Sequence, residues 1–203
     1  MMKVALAKAC SLVLHPLLMP LIGAAILLYA PTYISILPGS FKIHILSVFA
    51  LCTLCFPLFA LALMKSLRII PDLSLQSRRY RTLPLVAAIV GYTVCFFLLS
   101  RYMILGFFPQ LLIGGVVVLL ICLVVNLFWK ISLHLAGIGG LVGMLLYMAL
   151  GGYGRMNAIL LLFILLAGML GTARLYLGHH NLAQVLAGFC CGVGVMWGLL
   201  LLF

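Results

Sequence analysis

Apolar residues run through this chain in blocks much longer than the polar interruptions between them. Broken at charges, glycines and prolines, they form seven blocks: 4–30, 43–64, 83–104, 108–129, 131–151, 157–176 and 181–203. A helix rising 1.5 Å per residue needs about 20 apolar residues to cross a hydrocarbon core of roughly 30 Å. The pattern therefore predicts an all-α, polytopic transmembrane helix bundle of six or seven spans, built as one integral-membrane domain over residues 1–203. The first block follows Lys3 and Lys8 as a signal peptide would, but its apolar run continues through Leu28, so it is read as a retained span. Its "HPLLMP" segment puts Pro16 and Pro20 inside the helix, which predicts a kink. His15 either fills the space that kink opens or serves a function, the default for an ionisable group at membrane depth.

Composition and charge narrow the partners. Of 203 residues, 67% are hydrophobic and only 6% charged, so the surroundings are a lipid bilayer. Twelve Lys and Arg stand against one acid, Asp72, for a net charge of +11. Such an excess suits anionic headgroups or an anionic substrate. It does not suit nucleic acid, because the cations sit in short loops between apolar blocks instead of covering a wet surface. The seven cysteines lie in or beside apolar segments and are read as packing residues. Cys52 and Cys55 form a CxxC, but it lacks the second ligand pair that zinc needs, and no metal site is expected.

With seven spans, the loops after spans two, four and six share the membrane face of the N-terminus. That face collects Lys3, Lys8, Lys65, Arg68, Arg78, Arg79, Arg81, Lys130 and Arg174, together with Asp72, His134, His179 and His180. The opposite face holds Lys42, Arg101 and Arg155. Counted in full, the cations place the rich face inside. With Arg78, Arg79, Arg81, Lys130 and Arg174 set aside as ligands, only Lys3, Lys8, Lys65 and Arg68 oppose those three, and sidedness stays open.

A single aspartate excludes several membrane chemistries. Prenyl transfer and CDP-alcohol phosphotransfer rest on several aspartates holding Mg²⁺. An aspartyl phosphatase needs a carboxylate beside a carboxylate-bound metal, and a serine hydrolase wants an acid behind its histidine. What remains is a metal-free and cofactor-free site of Arg, Lys, His and Ser, a set suited to phosphate.

Three clusters carry that chemistry. In "PDLSLQSRRYRTLP", Arg78 and Arg81 are three apart and share a face of a helical turn, where they can grip one phosphate or simply fix topology; Asp72 is expected to pair with one arginine. In "WKISLHLAGIGG", Ser132 as cap of the fifth span turns free N–H groups toward Lys130, and His134 can serve as general acid. The other reading makes Trp129 and Lys130 an interfacial anchor and His134 a packed polar residue. Gly139 and Gly143 form a GxxxG of the kind that packs helices. In "RLYLGHHNLAQV", Gly178 ends span six and Asn181 caps span seven. Gln184 is placed four after His180 to orient its ring, and three after Asn181 to close a capping box; both readings stand.

Taken together, the clusters resemble the motifs of the type-2 phosphatidic acid phosphatase superfamily, over residues 72–194. Its third motif is Ser-Arg, five residues, His, three residues, Asp; here Ala173-Arg174, His180 and Gln184 keep the spacing, with Ala for Ser and Gln for Asp. Its Pro-Ser-Gly-His is matched by Ile131, Ser132, Leu133 and His134. Arg78 and Arg81 before Pro84 are similar to the cationic pair of its first motif, without the Arg-Pro dipeptide.

The resemblance implies a phosphatase-like core at 72–194 and a metal-independent lipid phosphatase acting on a lipid phosphate or pyrophosphate. His180 would be the nucleophile, His134 the acid for the leaving alcohol, and Gln184 would stand in the aspartate position. Arg78, Arg81, Lys130, Ser132 and Arg174 would bind phosphate. It also implies a bacterial inner (cytoplasmic) membrane. Because Gln184 is neutral, a nonenzymatic lipid-phosphate-binding or transport protein is the alternative.

Overall fold

The computed structural model of the protein describes residues 2–71, 78–102 and 107–202. Among the described residues, seven helical segments are long and apolar enough to span a membrane: Lys3–Tyr29, Gly39–Ser66, Thr82–Leu99, Phe107–Phe128, Leu133–Leu150, Asn157–Tyr176 and Leu182–Leu202. They follow the seven apolar blocks closely, and among the described residues there is no strand. The protein is an all-α polytopic bundle. Its outward surface displays large apolar side chains such as Phe59, Phe97, Phe128, Leu161 and Leu202, as a hydrocarbon solvent allows.

The first two spans each depart from regular α-helix at a proline. Helix α1 (Met2–Val13) stops before His15, a 3₁₀ turn covers Pro16–Leu18, and α2 (Met19–Tyr29) resumes. Pro16 forces His15 into extended backbone (φ −68°, ψ 138°), and neither proline offers an N–H to the preceding turn. The kink expected in the first span is therefore a full interruption. In the second span, α3 (Gly39–Phe49) and α4 (Phe56–Ser66) are joined by a π-helical stretch, Ala50–Cys55, immediately before Pro57. Pro57 cannot donate to the carbonyl four residues back, and the widened turn absorbs the lost bond. The CxxC lies in this stretch. No group of three or more His, Cys, Asp or Glu able to hold a metal occurs among the described residues.

Helices α5 (Thr82–Leu99), α6 (Phe107–Phe128), α7 (Leu133–Leu150), α8 (Asn157–Tyr176) and α9 (Leu182–Leu202) complete the bundle. Parallel helices α7 and α9 approach backbone to backbone along glycines. A Cβ added at Gly139 would lie 2.5 Å from the Phe189 carbonyl, at Gly143 2.6 Å from that of Val193, and at Gly188 2.5 Å from that of Ser132. At Gly192 it would run into the Ala136 carbonyl. The GxxxG thus packs helices, and α9 answers it with the same spacing, Gly188 and Gly192. This contact holds the first turns of α7 and α9 side by side, where the Ser132 N–H donates to the Gln184 carbonyl (3.2 Å).

Candidate functional site

The end of α8 and the start of α9 are built by local hydrogen bonding. Gly178 takes a left-handed φ of 66°, the Gly178 N–H reaches the Leu175 carbonyl (3.0 Å), and the His179 N–H reaches that of Arg174 (3.2 Å). This is a Schellman closure, and a side chain at 178 would be strained. Asn181 Oδ1 then accepts from the Gln184 N–H (2.9 Å), while Gln184 Oε1 accepts from the Asn181 N–H (3.3 Å). The same Oε1 lies 3.0 Å from His180 Nδ1. Capping and ring orientation therefore coexist, because one amide oxygen has two lone pairs.

That shared oxygen settles the tautomer of His180. A backbone N–H only donates, so the Gln184 atom facing Asn181 is the oxygen, and His180 Nδ1 must also donate to it. Nε2 is left with its lone pair. Burial pushes the His180 pKa down to about 4, opposed by the Gln184 bond and aided by the charges of Arg81, Arg174 and Lys130. The imidazole is accordingly neutral at neutral pH, as a nucleophile requires.

Two buried guanidiniums stand with it. Arg174, in the last turn of α8, is 9% exposed and its Nε has no hydrogen-bond partner among the described residues. Arg81 is 7% exposed, and its Nη1 donates to the Ile131 carbonyl (3.4 Å). Burial, and then the charge of Arg174, push the Arg81 pKa down to about 10, which leaves it cationic. Lys130, half-buried beside them, is lowered by burial and by both arginines. Asp72, expected to pair with an arginine, lies outside the described residues.

His15, Arg81, His134, Arg174 and His180 line one cavity of about 210 Å³. Below this polar end the walls turn apolar, through Leu85, Ala88, Tyr92, Leu111, Gly115 and Met196. Tyr92 is ten residues into α5 from Thr82, which puts the apolar part ~15 Å deep along the helix axis. His134, in the first turn of α7, donates from Nε2 to the Ser11 carbonyl (3.2 Å), which leaves Nδ1 to exchange protons. The His15 and His134 rings meet edge to face, 5.3 Å between centroids.

Other expected residues fall nearby in different roles. Arg78 does share a 3₁₀ turn with Arg81, but it is exposed, and its Nη1 donates to the Leu127 (3.1 Å) and Phe128 (2.6 Å) carbonyls at the end of α6. It closes a helix C-terminus there and does not line the cavity. Nothing is described of the Arg79 side chain. Ser132 occupies the N-cap of α7, yet its hydroxyl makes no capping bond, and Oγ is buried without a partner among the described residues. The first helical bond is Ala136 N–H to the Ser132 carbonyl (3.0 Å), so the N–H groups of Leu133, His134 and Leu135 stand outside the ladder. His15 is the residue at the site for which sequence reasoning had no assigned role; its only signal was an ionisable ring at membrane depth.

Compared with known protein families, with curated proteins and with solved structures, the chain matches none.

Proposed function

We propose that this protein removes phosphate from a membrane lipid phosphate or pyrophosphate, without a metal ion, through His180 as nucleophile. The observation that carries the reading is one cavity with buried Arg81, Arg174 and neutral His180 at its polar end and apolar walls below. Buried Arg174, whose Nε has no hydrogen-bond partner among the described residues, offers a cationic donor to an anionic group, and the apolar depth suits a lipid tail. His180 Nε2 attacks phosphorus and forms an N–P bond as the P–O bond to the lipid breaks. The leaving oxygen takes the Nδ1 proton of protonated His134. Water then attacks phosphorus as the N–P bond to His180 breaks, returns a proton to His134 and releases inorganic phosphate, so that lipid phosphate and water become lipid alcohol and phosphate. Arg81, Arg174 and the free N–H groups at the start of α7 offset charge on the equatorial oxygens.

Purified protein in vesicles should release phosphate from phosphatidic acid, phosphatidylglycerophosphate or a polyprenyl phosphate in EDTA, and orthovanadate should inhibit it. An absolute Mg²⁺ requirement would sink the reading. Gln184 supports a second reading, a lipid-phosphate binder or transporter, because a neutral amide orients the ring without offsetting the cation formed on phosphorylation. In that case His180→Ala retains both lipid binding and biological activity.

Gln184 also gives a graded test. Leucine removes both bonds to Oε1, and should cost about 1 kcal/mol of stability through the lost cap while lowering kcat per folded molecule. Glutamate accepts both bonds and adds the missing charge, so kcat should hold or rise. Unchanged turnover in both variants would remove Gln184 from the chemistry.

The pH profile follows from His180. Its neutral form is the nucleophile and protonated His134 the acid, so kcat/KM, expressed per substrate dianion, should not fall as pH drops past the ordinary imidazole value of 6.5 and should decline only through about 4. A decline centred near 6.5 would mean that burial does not control this ring.

A further inference from the structure

His15 lies outside the segment that resembles phosphatase motifs, on the break between α1 and α2. We infer that His15 is a phosphate-binding residue, a fixed neutral donor that presents Nε2–H to an oxygen of the bound phosphoryl group. The inference rests on the lipid-phosphate reading of the cavity.

The break explains how the ring gets there. Pro16 holds His15 extended, and this backbone places the side chain back over its own turn, where Nδ1 accepts the Leu17 N–H (3.3 Å). A nitrogen accepting a backbone N–H keeps its lone pair and carries no proton. The proton of the neutral ring therefore sits on Nε2. Protonating Nδ1 would set two donors face to face, so His15 stays a donor and does not shuttle protons.

His134 is set up in the opposite sense. Its Nε2–H is taken by the Ser11 carbonyl, and its Nδ1 is open to gain and lose a proton. The two rings touch edge to face and line the same cavity as Arg81, Arg174 and His180. One imidazole is thus locked as a hydrogen-bond donor and its neighbour as a proton carrier, each by a backbone group of the first span, Leu17 and Ser11. A structural cap alone would need only an oxygen at position 15, as asparagine, aspartate or serine supplies. A ring that lines the cavity adds, at its second nitrogen, a donor that capping does not use.

Three variants separate the two roles. His15→Asn keeps an acceptor for the Leu17 N–H and removes the distal donor. His15→Gln places an amide N–H near the position of Nε2. His15→Ala removes both. Orthovanadate affinity of the full-length protein in detergent, together with thermal stability, is the readout. Wild type and His15→Gln should bind orthovanadate within about threefold of each other, while His15→Asn binds about ten- to a hundredfold more weakly with an unchanged melting temperature. His15→Asn binding as tightly as wild type overturns the inference, as does a loss of affinity in His15→Gln equal to that in His15→Ala. Wild type that binds orthovanadate but hydrolyses no lipid phosphate removes the enzyme reading and leaves the His15 contact standing. Wild type that does not bind it removes both.

Discussion

Alanine at His180 is expected to lower phosphate release by about 10⁴-fold while leaving the protein folded, because no other lone pair in the cavity is presented in the same way. His134 cannot substitute: its Nε2 is held by the Ser11 carbonyl, and its Nδ1 must carry the proton for the leaving oxygen. His15 cannot substitute either, since its Nδ1 is held by the Leu17 N–H. The ring of His180 is small and the Schellman turn before it is closed by backbone groups, so folding should survive the substitution. The companion variant Arg174→Gln should lower kcat/KM by about 10²- to 10³-fold, as loss of one transition-state donor does. Release of inorganic phosphate from vesicle-borne substrate, normalised to folded protein, reads both effects. Retained turnover in His180→Ala would remove the nucleophile assignment. Retained lipid-phosphate binding with lost turnover in that variant would separate the enzyme from a binder.

The second large effect is expected far from any reacting atom. Valine at Gly192 should separate α7 from α9 and destabilise the protein by about 3 kcal/mol or more, because its Cβ is driven into the Ala136 carbonyl and backbone has little room to move aside. The control lies in the same helix. Gly194 and Gly198 have nothing within 4 Å of an added Cβ, so alanine there should be neutral or slightly stabilising through helix propensity. Thermal unfolding in detergent distinguishes the three. Equal stability of all three would mean that the glycine seam does not hold α7 to α9. Because that seam sets Ser132 against Gln184, any Gly192→Val protein that does fold should also lose turnover.

How far the site could be read from the chain depended on whether its contacts were local. The Gly178 turn and the Asn181–Gln184 capping box span three to five residues, and residue type alone fixes such bonds. For Gln184 two uses were legible but not their coexistence, which needed the position of one oxygen between His180 and Asn181. Arg78 and Arg81 were equivalent by spacing; only the nearby end of α6 separates them, drawing Arg78 to its carbonyls while Arg81 enters the cavity. The role given to the Ser132 hydroxyl was wrong in detail: the position is an N-cap, but the side chain does not cap.

What the chain determined by itself was the number, length and order of its spans, and the gathering of loops two, four and six on one face. Hydrocarbon tolerates only satisfied backbone, so an apolar block of sufficient length must be a helix, and alternation of spans does the rest. Tertiary structure alone decided which apolar residues face lipid and which wall the cavity. In water those two classes differ in polarity, but in a membrane both are apolar, so Val86 and Ala88, two residues apart on α5, read alike in the sequence although one is exposed and the other lines the cavity. The approach of His15 to His134 was likewise set by packing between segments, since it joins residues whose separation along the chain carries no period.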